Sequence, residues 1–140
     1  MTTEYDEHYY DVVAQRQFGN IIDWLKCVTD PDYRVRVWQN GTGPGEFYEE
    51  SVSEFFSDYS LEWLLDDGLA RLGTHENVIG QLRDFAAHFD AFNQTLPQWV
   101  DAKTLEVNPT FQSILAEAKG LLVAFQDARK DMRIVHDDIP

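Results

Sequence analysis

Carboxylates are the reactive groups that this 140-residue sequence supplies in quantity. Eight of its 25 acids lie in one stretch: Glu46, Glu49, Glu50, Glu54, Asp58, Glu62, Asp66 and Asp67. Glu46, Glu50, Glu54, Asp58, Glu62 and Asp66 recur every four residues, which aligns side chains along one helix face. No Lys or Arg occurs between Arg36 and Arg71 to offset them. Like charges at this spacing cost ~0.2–0.5 kcal/mol per pair in an isolated helix, and stability alone favours mixed signs. Two readings compete. One is a solvated face, helped at its first turn by the helix dipole, which favours Glu46 and Glu49. The other is a surface for a basic partner. Trp63 stands among Glu62, Asp66 and Asp67, with Tyr48 and Tyr59 near the boundary of the first acidic helix. Aromatic residues beside complementary charge are typical of interface hot spots, whereas tryptophan is highly buried on average, and packing is the favoured reading for all three.

Other chemistries find less support. The histidines are His8, His75, His88 and His136, and none forms an HExxH pattern. Asp84 and His88 are four apart and can meet on one helix, but they sit off the apolar seam, as an exposed pair would. Cys27 ends an apolar helix without a nucleophile signature and reads as a structural thiol. No GxSxG occurs. The loop Asn40-Gly-Thr-Gly-Pro-Gly45 lacks the lysine and the strand–loop–helix spacing of a P-loop. Arg34 and Arg36 are too few for a nucleic-acid surface. The expectation is a protein without catalytic residues, metal or cofactor.

The charge balance narrows the partners. Net charge is −14, which repels nucleic acids and anionic membranes and speeds capture of a basic protein at low salt. Residues 1–70 hold 15 acids and 4 bases, against 10 and 7 in residues 71–140. The acidity therefore belongs mainly to the first half. A 44% hydrophobic, 14% aromatic chain of this length supports one domain with a true core. The acidic opening MTTEYDEHYYD does not read as a secretory signal. The lone cysteine excludes an internal disulfide. Localisation reads as cytoplasmic.

The elements that must position these groups are helical. His8–Val28 carries Val12 and Val13, then a stripe of Phe18, Ile21, Ile22 and Leu25 whose phase shifts, predicting a bend near Phe18–Gly19. Asp30-Pro31-Asp32 stops that helix. Residues 33–38 alternate apolar and basic, predicting a short strand, a hairpin arm or an extended link. Glu46–Tyr59 forms an amphipathic helix with Tyr48, Val52, Phe55, Phe56 and Tyr59 inward. Leu61–Leu72 forms another, ending at Gly73 as a C-cap. Thr74 caps a helix reaching Thr95, with Val78, Leu82, Phe85, Phe89 and Phe92 as its seam. A short helix includes Gln98–Lys103. Asn108-Pro109 opens the last long helix, whose seam runs from Phe111 to Phe125. The fold class is mainly α: a compact bundle of about five helices over residues 1–140, with frayed ends at 1–7 and 134–140.

In size and in its clustered acids, from Glu46 to Asp67, the chain resembles the small acidic immunity proteins that bacteria encode beside toxins, including those of contact-dependent growth inhibition systems. The resemblance spans the chain in general character and carries no diagnostic motif, so no family residues transfer. It implies an antitoxin that covers or blocks a toxin domain, often a nuclease. The candidate contact surface is Glu46, Glu49, Glu50, Glu54, Asp58, Glu62, Trp63, Asp66 and Asp67. The alternatives are a nucleic-acid mimic whose carboxylates occupy a DNA- or RNA-binding groove, an enzyme using His88 or some of the carboxylates, and a self-associating helical structural protein. The sequence leaves oligomeric state open.

Overall fold

In the computed structural model, residues 6–41 and 47–140 are described, and among them every regular element is a helix. There are seven: α1 (Glu7–Val28), α2 (31–39), α3 (48–58), α4 (61–71), α5 (Glu76–Asn93), α6 (Ala102–Glu106) and α7 (Pro109–Asp131). No helix among the described residues is long and apolar enough to cross a membrane.

Helix starts follow short polar side chains that satisfy the first free N–H groups. Asp6 caps α1, Asp30 caps α2 ahead of Pro31, Asp101 caps α6, and Asn108 caps α7 ahead of Pro109. For α5 the expected cap is displaced by one residue. The His75 Nδ1 accepts from the Asn77 N–H, and Thr74 Oγ1 has no hydrogen-bond partner. Thr74 is committed to the preceding helix, because Gly73 at φ +77° closes α4 with bonds from Gly73 N–H to Ala70 O and from Thr74 N–H to Leu69 O.

Three long helices build the frame. α5 and α7 pack closely, and α1 lies against α7, where Phe18 stacks on Phe125 with ring centroids 4.8 Å apart. The seams of α5 and α7 are buried as their spacing predicts. α1 runs unbroken through Phe18–Gly19, against expectation. Its buried residues are Asp11, Val12, Ala14, Phe18, Ile21, Ile22, Trp24, Leu25 and Val28. Asp11 and Ala14 supply the missing phase. Neither reads as a core residue, yet Asp11 is buried because Arg71 and Arg133 both pair with it.

The shorter helices close the core. Residues 33–38 are helical, not extended. The alternation misleads because two residues exchange their usual sides. Arg34 is buried, forking onto Glu106 at 2.9–3.3 Å and donating to Val28 O at 2.8 Å, whereas Val35 is exposed. Arg34 thereby ties α2 to α6. Each of α2, α3 and α4 contains a stretch of π winding, over Arg34–Gln39, Glu54–Asp58 and Leu64–Gly68, a widened turn that is normally isolated.

An aromatic cluster joins these layers. Trp24 stacks on Phe55 at 4.6 Å and meets Phe85 and Phe89 edge-on, and Tyr48 meets Trp38 and Phe111 edge-on. Their polar tips are satisfied, as buried Trp and Tyr require. Trp24 Nε1 donates to Ser51 O, Trp38 Nε1 to Ser51 Oγ, and Tyr48 OH to Asn93 Oδ1.

The two ends were expected to fray. Residues 1–5 lie outside the described residues, while Asp6 and Glu7 are ordered as the cap and first turn of α1. Residues 134–140 run back along α1. Val135 is buried there, and its N–H and C=O both bond to the Gln15 amide, at 2.8 and 2.9 Å.

Candidate functional site: the acidic face of α3 and α4

The acids of the row have different surroundings. Glu46 lies outside the described residues. Glu49 is half-buried, and its Oε1 accepts the Val100 N–H at 2.8 Å, fastening the connection after α5 to α3. Glu54 is half-buried and accepts from the Tyr59 hydroxyl at 2.9 Å. Burial first, and then that bond, push the Tyr59 hydroxyl well above the usual tyrosine range. Asp67 pairs with Arg71. These three carboxylates act as clips within the fold.

Glu50, Asp58, Glu62 and Asp66 are different. All four are exposed, and none makes a side-chain hydrogen bond or ion pair with a described residue. They divide between two helices. Ser60, at φ 54°, stands in the left-handed region between α3 and α4 and breaks the four-residue rhythm there. Glu50 and Asp58 belong to α3, Glu62 and Asp66 to α4.

Trp63 is half-buried, with its ring 6.1 Å from that of Tyr10 on α1. Gly68 fits beneath it, since a Cβ there would stand 2.9 Å from Trp63 Cζ3. Beside Trp63, an open groove of about 460 Å³ takes its apolar lining from Phe56, Leu61 and Trp63, and its polar lining from Ser57, Ser60, Glu62 and Asp66. Two unpaired carboxylates therefore border an aromatic surface. This arrangement can hold the aliphatic stem and the charged head of a Lys or Arg from another protein.

Arg71 closes the row at one end. It pairs with Asp67, Glu7 and Asp11, and lies 5.3 Å from the centre of the Tyr10 ring. The hydrogen bonds it donates to Asp67 and Glu7 hold it firmly charged. It anchors α4 to α1 and cancels the acids at that end. Sequence reasoning missed this hub, because Glu7 and Asp11 reach Arg71 only through the tertiary fold.

The other candidates also have definite places. His88 is exposed on α5, and its Nδ1 lies 2.9 Å from Glu117 Oε1 on α7. The pair borders an open groove together with Gln81, Asp84, Gly120 and Leu121. Among the described residues, no three His, Cys, Asp or Glu side chains are placed to hold a metal ion. Cys27 is half-buried, and burial, followed by the nearby Asp23, Asp30 and Glu54, pushes its thiol up, which disfavours the reactive thiolate. No family model, curated protein or solved structure matches the chain.

Proposed function

We propose that this all-α protein binds and neutralises a basic partner protein, and that the partner is a toxin domain blocked by this chain as an immunity protein. The observation that carries the reading is the set of exposed, unpaired carboxylates Glu50, Asp58, Glu62 and Asp66 on α3 and α4, of which Glu62 and Asp66 border the groove at Trp63. No described side chain pairs with them, and only the helix dipole draws on two of them, Glu50 and Glu62 in the first turns of α3 and α4. Such a face steers a cationic partner and accelerates its capture at low ionic strength, a kinetic property that suits an antidote.

The reading narrows the contact surface expected from the row. Glu49, Glu54 and Asp67 serve the fold, so substitutions there act through stability. Glu50, Asp58, Glu62, Asp66 and Trp63 form the proposed contact. The test is association of the purified chain with the purified product of its neighbouring gene, followed by stopped flow. Reversal of Glu50, Asp58, Glu62 and Asp66 to Lys is expected to slow association steeply at low salt and far less at high salt. An unchanged rate with a partner that does bind removes this face from the proposal. Displacement of DNA from several unrelated nucleases would instead favour a nucleic-acid mimic.

A further inference from the structure

The C-terminal segment makes contacts of a kind that a docked peptide makes. Gln15 on α1 grips the backbone of Val135 through both of its hydrogen-bonding groups, at 2.8 and 2.9 Å. The Val135 side chain is buried, 7% exposed, while its neighbour Ile134 is 83% exposed. Arg16 forks onto the Asp137 carboxylate at 2.6 and 2.7 Å and also donates to the Ile139 carbonyl. His8 Nε2 lies 2.6 Å from Asp138 Oδ1. At the start of the segment, Arg133 N–H donates to Leu72 O at 3.1 Å, and its guanidinium pairs with Asp11 at 2.9 Å. One backbone clamp, one apolar anchor and successive charge contacts hold a segment without regular structure. This is how peptide-binding surfaces combine affinity with register.

The contacts differ in durability. Val135 is buried, and the Arg16–Asp137 fork joins a cation that stays charged at all relevant pH to a carboxylate. The His8–Asp138 contact is exposed on both sides and needs a proton on the imidazole to be an ion pair.

We propose that residues 133–140 form a detachable strap over α1, anchored by Val135 and Arg16, and that protonated His8 closes its outer end. The groups facing His8 are Asp138 from the strap and Asp6 and Asp11 from α1. Asp138 in turn faces His136, and Asp137 faces Arg16 and His136. The hydrogen bond to Asp138 is the largest influence on His8 and raises its pKa, while the same bond lowers that of Asp138. The sign follows. The His8 contact is complete below the ordinary histidine pKa and is lost as pH rises through the raised value. On the acid side, it is lost as pH falls through the lowered value of Asp138. Above the histidine range the strap keeps its Arg16 and Val135 contacts but loses its outer clasp.

Amide hydrogen exchange at Val135, followed by NMR on the full chain, tests this. After correction for intrinsic rates, protection is expected to fall several-fold between about pH 5.5 and pH 8.5, on either side of the histidine range. In His8→Gln the part of the fall due to the outer clasp should vanish, whereas His136→Gln, which removes the other imidazole facing Asp137 and Asp138, should keep it. In Arg16→Gln protection should be lower at every pH while the same downward trend persists. Far-UV circular dichroism on each variant confirms that the helices remain folded. A flat profile in the unmodified chain, or an identical fall in His8→Gln, overturns the proposal. So does a Val135 amide that exchanges freely throughout, since the strap would then not be docked.

Discussion

The three long helices and the run from α2 to α4 face the same burial problem and solve it differently. α1, α5 and α7 are 22, 18 and 23 residues long and present apolar seams to one another. α2, α3 and α4 span 31–39, 48–58 and 61–71, each contains π winding, and together they carry most of the acidic row. Besides buried side chains such as Phe55, Leu64 and Leu69, their attachment uses specific polar contacts between elements: Arg34 to Glu106, Glu49 to Val100 N–H, Arg71 to Asp11, and Trp38 to Ser51. Burial sets the frame, whereas hydrogen bonds and ion pairs work together with burial to position the face that we propose is functional. Some of the acids thus belong to the fold and others are spare.

The comparison breaks first if the short-helix region is only loosely attached. Phe55 is fully buried and stacks on Trp24, with Phe56, Phe85 and Phe89 around it. Phe55→Ala is expected to cost ~3–5 kcal/mol, as a core phenylalanine on a long helix would. Urea unfolding measures this. A cost near that of a surface substitution would mean that α3 contributes little to the common core.

Arg34 tests the polar half of the contrast. Its side chain is 6% exposed and that of Glu106 is 29% exposed. Removing one partner of a buried pair costs ~3–5 kcal/mol. Because Glu106 keeps access to water, Arg34→Ala is expected to cost less, about 2–3 kcal/mol. Arg34→Lys should recover only part of this, since an ammonium cannot make the fork. Equal stability of the Lys variant and the unmodified chain would show that charge alone suffices.

Glycine-to-alanine substitutions sharpen the difference by changing sign between the regions. In α4, a Cβ at Gly68 would stand 2.8 Å from Leu64 Cδ2 and 2.9 Å from Trp63 Cζ3. Overpacking outweighs the gain in helix propensity there, so Gly68→Ala is expected to destabilise by about 1 kcal/mol and to shift the Trp63 ring. In α5 and α7, a Cβ at Gly80 or Gly120 meets nothing within 4 Å. Each Ala variant should therefore gain ~0.5–1 kcal/mol. Thermal melts of the three variants suffice to test it, and a gain at Gly68 would show that the groove at Trp63 is slack.

What the sequence made legible follows the same divide. The seams of α5 and α7 could be read because polarity and burial agree at Leu82, Phe85, Phe89, Phe111, Leu115 and Phe125. The Asn108-Pro109 start and the Gly73 stop could be read because their effect is local. Elsewhere polarity and burial disagree. Asp11, Arg34 and Ser51 are buried, while Val35, Trp99 and Val107 are exposed. Those inversions hid the continuity of α1 and the helicity of residues 33–38. The partners of Asp11, Arg34 and Val135 lie 60 or more residues away in the chain, as Arg71, Glu106 and Gln15. Periodicity within one helix cannot show such pairs. For the candidate site, the position of the row was legible. Its division into structural clips and unpaired charges was not, because it depends on Tyr59, Val100 N–H and Arg71 closing over particular acids.

The smallest expected effect on stability separates spare charge from useful charge. Glu62 and Asp66 are four apart on α4, both exposed, with no described cation to pair with. Their mutual repulsion is worth at most a few tenths of a kcal/mol, about the value for like charges at this spacing. Glu62 lies in the first turn of α4, where the helix dipole favours a carboxylate, so Asp66 is the member to neutralise, and Asp66→Asn should raise the melting temperature slightly at low salt. The gain should disappear near ~1 M salt, where charges are screened within about 3 Å. The same variant should slow association with a basic partner, again most strongly at low salt. Opposite signs for stability and association are what a binding face predicts, since the charge is held against the interest of the fold. A variant that is more stable and associates unchanged would assign Asp66 to a solvated face and leave Glu50, Asp58 and Glu62 as the acids to test.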